Sequence, residues 1–230
     1  MNLSNTEVHV WHINIDTQSD ADAISLLKSY LSEDELMRAN RFANLDLQIH
    51  FILARGYLRA ILSKYVEETP GELSISYGKY GKPFLKNKNI EFSFTHSKSL
   101  CLLALTMNQK VGIDVEQIGC VRDWHKIMRY CLSDNEQQEL FSYSEEEQEE
   151  AFLRGWTRKE AYTKAIGKGL LYNFSSFSVM LRELGAEVLD DYKNEKNLSN
   201  WTIMNVDVEK PYVAALSVNK KDMHKLEFHL

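Results

Sequence analysis

Val111-Gly-Ile-Asp-Val-Glu116 sits near the middle of a 230-residue chain and decides how the rest is read. Its aliphatic residues fall at every second position, the period of a strand with one buried face. Asp114 and Glu116 therefore project together from the other face. Upstream, Val8, Val10, Ile13 and Ile15 predict an opening strand, and Ile24, Leu27 and Leu31 an amphipathic helix. A longer helical pattern covers about 47–66, with Arg55 and Arg59 one turn apart, and Thr69-Pro70-Gly71 ends it. Residues 73–77, 90–94 and 100–106 then read as strands, with Lys79, Gly81, Lys82 and Pro83 in a turn between them. Downstream the chain turns helical, with a helix over about 145–166. Strands follow near 177–181, 201–206, 212–218 and 226–228. Ser32/Glu35, Ser133/Glu136 and Ser144/Glu147 have the spacing of capping boxes, each marking a helix start.

The order strand, helices, strands occurs on both sides of residues 110–113. It predicts an α+β fold of two similar α/β subdomains, 1–111 and 112–230, in a pseudo-two-fold arrangement with the active site in the cleft between them. An echo points the same way: Glu91-Phe-Ser-Phe and Leu102-Leu-Ala-Leu in the first half are mirrored by Trp201-Thr-Ile-Met and Val213-Ala-Ala-Leu in the second.

Composition removes several classes. With 44% hydrophobic and 26% charged residues, ten Gly and three Pro, the chain has the profile of a globular domain with a core of its own. A formal charge of −6 has the wrong sign for coating nucleic acid or an anionic membrane, so a polyanionic ligand must meet a local basic pocket. The longest apolar run, 100–105, is too short to span a bilayer, and the first ten residues lack the pattern of a secretory signal. Cys101, Cys120 and Cys131 are odd in number and have no zinc spacing, which predicts free buried thiols and a cytoplasmic location.

Two groups of residues can carry chemistry. Asp114 and Glu116 are joined by Glu160 from Trp156-Thr-Arg-Lys-Glu-Ala-Tyr-Thr-Lys164, in which Trp156, Glu160 and Lys164 repeat every four residues on one helix face. A solvated strand end and an ordinary Glu–Lys surface pair explain the acids separately, but leave the Trp unexplained. Convergent carboxylates would suit Mg²⁺, which takes oxygen ligands, and the scattered His offer no zinc motif. The second group is basic: Arg38, Arg41, Lys79, Lys82, His96 and Lys168, several beside Gly or Pro, where backbone can approach a phosphate closely. The run 145–150 reads as helix N-terminal charge. Trp124 and Met128 suit either core packing or a partner.

Gly81-Lys-Pro83, Phe92-Ser-Phe-Thr-His-Ser97, Val111-Gly-Ile-Asp-Val-Glu116, Trp156-Thr-Arg-Lys-Glu-Ala161 with Lys164, and Gly167-Lys-Gly-Leu170 together resemble the 4'-phosphopantetheinyl transferases of the longer, surfactin-synthetase-activating type. The resemblance implies transfer of the phosphopantetheine arm of coenzyme A to a serine of an apo acyl or peptidyl carrier protein, releasing adenosine 3',5'-bisphosphate. It implies Mg²⁺ on Asp114, Glu116 and Glu160, and catalytic roles for Glu160, Lys164 and Asp114. Lys164 would neutralise charge at the bridging phosphate or protonate the leaving group. Arg38, Arg41, Lys82, Thr95 and His96 would contact the nucleotide. Glu160 or a water on the metal would take the serine proton. A monomer is the simplest expectation, and an inactive coenzyme A or carrier-binding module is the alternative. Three positions depart from the family pattern: Thr95 stands where Ser is common, Val115 where Ile is, and His50-Phe51 where a basic residue is expected.

Overall fold

The computed structural model describes residues 1–15, 20–183, 188–191, 201–219 and 225–229. The fold is α+β. Strand β1 (Glu7–Asn14) leads into helices α1 (Ala21–Ser29), α2 (Glu33–Ala39) and α3 (Leu45–Ser63). A small hairpin, β2 (Ile75–Tyr77) and β3 (Pro83–Leu85), is followed by β4 (Ile90–Ser97), β5 (Leu100–Met107) and β6 (Val111–Gln117). Helices α4 (Trp124–Cys131), α5 (Asp134–Leu140) and α6 (Glu145–Ala165) come next. Strands β7 (Phe177–Val179), β8 (Val188–Asp191), β9 (Thr202–Asn205), β10 (Tyr212–Val218) and β11 (Lys225–His229) complete the described order.

All three capping boxes form. Ser32 and Ser133 each exchange both reciprocal bonds with the Glu three residues on, and the Ser144 amide and hydroxyl both donate to Glu147. Two predictions need correction. Pro83 opens strand β3 instead of sitting in the turn: β3 pairs with β2 through Tyr77↔Pro83, a terminal strand position where proline's missing N–H costs nothing. Of the three free thiols only Cys101 is buried; Cys131 is half-buried and Cys120 exposed.

The larger sheet has the order β11-β1-β5-β4, and the second sheet β6-β10-β9. In both, an opening strand pairs antiparallel with the second strand of a later hairpin, giving β1-β5-β4 and β6-β10-β9. The last strand, β11, lies parallel beside β1.

The sheets meet face to face through Val8, Val10, Leu102 and Ala104 on one and Ile113, Val115, Ala214 and Leu216 on the other. On the outer face of the larger sheet, Cys101, Leu103 and Leu105 pack with Leu58, Ile61 and Leu62 of α3. That double coverage explains the unbroken apolar run 100–105, since β5 has no solvent face on which to alternate. The second sheet carries α6 on its outer face, in contact with β6 and β10. Trp124 and Met128 are buried against Phe152 and Leu153, so they belong to the core. Among the described residues no helix is long and apolar enough to cross a membrane.

Candidate active site

The strand period sends Val111, Ile113 and Val115 between the sheets, and Gly112, Asp114 and Glu116 toward α6. At Gly112 strand and helix nearly touch: a Cβ there would lie 2.0 Å from the carbonyl oxygen of Ala161 and 2.5 Å from the amide of Ala165. This contact brings the stripe Trp156, Glu160 and Lys164 down onto the two acids. Lys164 Nζ donates to Asp114 Oδ1 at 2.6 Å. The Trp156 indole donates to Glu116.

Strand β4 forms the other wall through its alternate hydroxyls. Ser93 Oγ accepts the Ile113 N–H at 3.1 Å, and Ser97 Oγ accepts that of Gln117 at 3.1 Å while donating to Glu116 Oε2 at 3.2 Å. Between them Thr95 donates to Asp114 Oδ1 at 3.0 Å and lies 3.2 Å from Lys164 Nζ. Side chains of one strand thereby satisfy the free backbone edge of the other, which a buried edge requires.

The electrostatics are dominated by three acids in little water. Asp114 and Glu160 are only 4% and 7% exposed. Burial, with Asp114 and Glu116 beside it, pushes the Glu160 carboxyl up to about 7 despite Lys164. Burial and Asp114 raise Glu116 as well, against the hydrogen bonds from Ser97 and Trp156. Asp114 Oδ2 is buried and has no hydrogen-bond partner among the described residues. A buried carboxylate oxygen without a partner among the described residues, with Glu116 and Glu160 near enough to act on Asp114 electrostatically, is oxygen-donor chemistry of the kind that suits Mg²⁺.

The other positions of α6 hold the helix in place. Lys159 is fully buried: its Nζ donates to the carbonyls of Phe174 and Phe177 at 2.8 and 2.6 Å and pairs with Glu136 Oε2 at 2.6 Å. Arg158 donates to Asn205 Oδ1 at 2.8 Å and to the carbonyls of Met180 and Glu183; burial lowers its pKa to about 10.

Of the nucleotide candidates, Arg38 and His96 line one pocket of about 650 Å³ together with His50, Phe51, Arg55 and Tyr77. The Arg38 guanidinium lies 5.2 Å from the Phe51 ring centre. Partial burial, with Lys164 and His50 nearby, lowers the His96 pKa. Thr95, one residue before His96, points from the opposite face of β4 to Asp114. Lys82 is turned away from this pocket: its Nζ donates to the Val111 carbonyl at 3.0 Å and to that of Ala165 at 3.4 Å, with Glu91 Oε2 at 3.5 Å. Burial draws Lys82 below the ordinary lysine range. Arg41 is exposed and outside the pocket lining. Lys79 lies over Tyr80 and Lys168 over Tyr172.

Sequence reading missed Glu35, which bonds Arg55 Nε at 2.8 Å and Arg59 Nε at 2.5 Å and so steadies the Arg55 wall of the pocket. The one-turn spacing of Arg55 and Arg59 was the signal available. His50 entered only as a departure from a basic position, yet it occupies the pocket wall.

Residues 110–217 match the 4'-phosphopantetheinyl transferase superfamily model. The 4'-phosphopantetheinyl transferase HetI of Nostoc sp. is 35% identical over 174 residues, 74% of this chain and 73% of its own length. The 4'-phosphopantetheinyl transferase psf-1 of Bacillus pumilus is 30% identical over 76% of this chain and 74% of its own. The solved holo-[acyl-carrier-protein] synthase of Thermotoga maritima overlaps at a TM-score of 0.40 and 23% identity, over 49% of this chain and 63% of that one, too loosely to define the architecture here. With a family model matched over residues 110–217 and relatives matched over about three quarters of their length, the chain belongs to the 4'-phosphopantetheinyl transferase superfamily.

Proposed function

We propose that the chain transfers the 4'-phosphopantetheine moiety of coenzyme A to a serine hydroxyl of an apo acyl or peptidyl carrier protein, releasing adenosine 3',5'-bisphosphate. The observation that carries this reading is Asp114: one oxygen is held by Lys164 and Thr95, and the other is buried without a partner among the described residues. Asp114, Glu116 and Glu160 would hold Mg²⁺, which when bound supplies charge neutralisation at the pyrophosphate of coenzyme A.

The chain's own residues do the rest. Lys164, fixed at 2.6 Å from Asp114, keeps a positive charge beside the phosphate oxygen on which negative charge builds as the P–O bond breaks. The serine oxygen forms the new bond to phosphorus, its proton passes to Glu160, and the 5'-phosphate of the adenosine 3',5'-bisphosphate leaves with the electron pair. Thr95 orients Asp114, and the Trp156 and Ser97 bonds hold Glu116. Arg38 and His96 would take the 3'-phosphate and nucleotide in the 650 Å³ pocket, with Phe51 as an apolar surface. Lys82 then acts as a strut between β6 and the end of α6.

The halves 1–111 and 112–230 would be two related subdomains in a pseudo-two-fold arrangement with the site between them, a reading supported by the strand orders β1-β5-β4 and β6-β10-β9. One chain then supplies both walls and works as a monomer. The free thiols suit the reducing cytoplasm.

Intact-mass spectrometry tests the reaction: apo carrier proteins incubated with the chain, coenzyme A and Mg²⁺ should gain one phosphopantetheine, and EDTA or Asp114→Ala should prevent it. No gain on any carrier, with coenzyme A still bound, would overturn the reading in favour of a binding module.

A further inference from the structure

Far from the acid triad, at the seam where the last strand joins the first, lies a second cluster of ligand-bearing side chains. Strands β1 and β11 run parallel in the register His9↔Glu227 and Trp11↔His229, so alternation puts His9, Glu227 and His229 on one face of the sheet edge. One donor atom from each lies within 4.8 Å of the others. We propose that these three residues form a transition-metal site of the zinc class.

The distances support it. Two ligands on a tetrahedral ion with bonds of about 2.0–2.1 Å sit about 3.3 Å apart. His9 Nε2 is 3.2 Å and His229 Nε2 3.7 Å from Glu227 Oε2, so two edges of the coordination sphere are nearly in place without an ion. Glu7 Oε2, 4.0 Å from His9 Nε2, offers a fourth donor within a side-chain rotation. His229 Nε2 is buried and makes no hydrogen bond among the described residues.

The outer contacts have the form of support for a ligand. Tyr65 OH lies 2.8 Å from His9 Nδ1 and accepts the Trp11 indole N–H at 2.9 Å, which fixes the His9 ring with Nε2 aimed at Glu227. Trp11 stacks on His229 with ring centres 4.6 Å apart. The ligand chemistry also separates this cluster from the first. Three carboxylates select a hard ion, whereas two imidazoles with a carboxylate select zinc or its neighbours. An ion here would clip the terminal strand β11 to β1.

The test uses the full chain dialysed against Zn²⁺ or Co²⁺ in excess Mg²⁺, which keeps the acid triad occupied. Retention of one Zn²⁺ per chain, a tetrahedral Co²⁺ absorption spectrum and a melting temperature raised by Zn²⁺ are expected. His229→Ala and the isosteric Glu227→Gln should each abolish stoichiometric retention while Mg²⁺-dependent transfer continues. Tyr65→Phe should weaken it by about 10–100-fold. No retention in excess Mg²⁺ would overturn the proposal. So would retention unchanged in Glu227→Gln, or a thiolate-to-cobalt charge-transfer band placing the ion on Cys120. Because Glu227→Gln preserves shape, a folding failure of His229→Ala leaves the test intact.

Discussion

Gly112→Ala adds one methyl group to the chain at the point where strand β6 meets helix α6, and should damage the site without touching any acid. The added Cβ would stand 2.0 Å from the Ala161 carbonyl oxygen and 2.5 Å from the Ala165 amide, both backbone atoms of α6. Ordinary contact begins at about 3.5 Å, so the helix must retreat by about 1.5 Å. Because the obstacle is backbone, no side-chain rotation relieves it, and a cost near the upper end of the overpacking range, about 3 kcal/mol, is expected. In a domain of this size that lowers Tm by about 6–12 °C. The same retreat carries Lys164 away from Asp114, where the present separation is 2.6 Å, and Glu160 away from the other two acids. A misplacement of about 1 Å costs on the order of 100-fold in rate. Thermal unfolding and phosphopantetheine transfer to an apo carrier protein measure the two effects. Gly155→Ala is the control: its Cβ would lie 2.4 Å from Leu181 Cδ2, a terminal methyl that can rotate, so transfer should hold and Tm should fall less. Wild-type turnover and Tm in Gly112→Ala would refute the view that strand-to-helix contact sets the site geometry.

Lys159→Met should destabilise the fold by about 3–5 kcal/mol by leaving Glu136 buried and unpaired, and adding Glu136→Gln should recover part of that loss; denaturant titration of single and double variants checks both. Burial alone would raise the Glu35 carboxyl, but Arg55, the Ser32 amide and Arg59 together hold it below its ordinary value. Its stabilising contribution is therefore full above the ordinary carboxylate range and is lost as pH falls through the lowered value, so the stability gap between wild type and Glu35→Gln should be wide at neutral pH and close on acidification. A gap independent of pH would remove the ionised carboxylate from the account. His96→Ala should raise the apparent KM for coenzyme A with little change in kcat, and do so less for the analogue lacking the 3'-phosphate. Equal effects on both would take His96 out of phosphate contact.

The fold was legible where a residue pattern has one physical solution. The capping spacings at Ser32, Ser133 and Ser144 marked helix starts because a Ser hydroxyl and a Glu carboxylate three residues on can satisfy backbone donors reciprocally there. The unbroken apolar run 100–105 read as a strand because it is too short for an ordinary buried helix. Pro83 misled, because proline is at home both in turns and at the first position of an edge strand, and only the pairing with Tyr77 decides between them. The parallel union of β11 with β1 joins residues more than two hundred apart, and no local period encodes a partner at that distance.

The site divides in the same way. Asp114 and Glu116 share a face because strands alternate, and Glu160 and Lys164 share one because helices turn in 3.6 residues, so each half of the metal-fitting cluster could be read alone. What the sequence did not show is who pairs with whom. Glu160 and Lys164 at i and i+4 invite a surface ion pair, yet the ion pair of Lys164 is with Asp114, fifty residues away. The reason lies in the two positions just before Glu160 and in Gly112. Arg158 and Lys159 tie one side of α6 to buried carbonyls and to Glu136, and Gly112 removes the last obstacle on the other. The helix is thus held against β6 with its stripe turned inward, where a lysine left to solvent would gain far less from either carboxylate. Burial then does what exposure could not. It raises Glu160 to about 7 and leaves Asp114 Oδ2 without a partner among the described residues, an unmet demand that the proposed cation would answer.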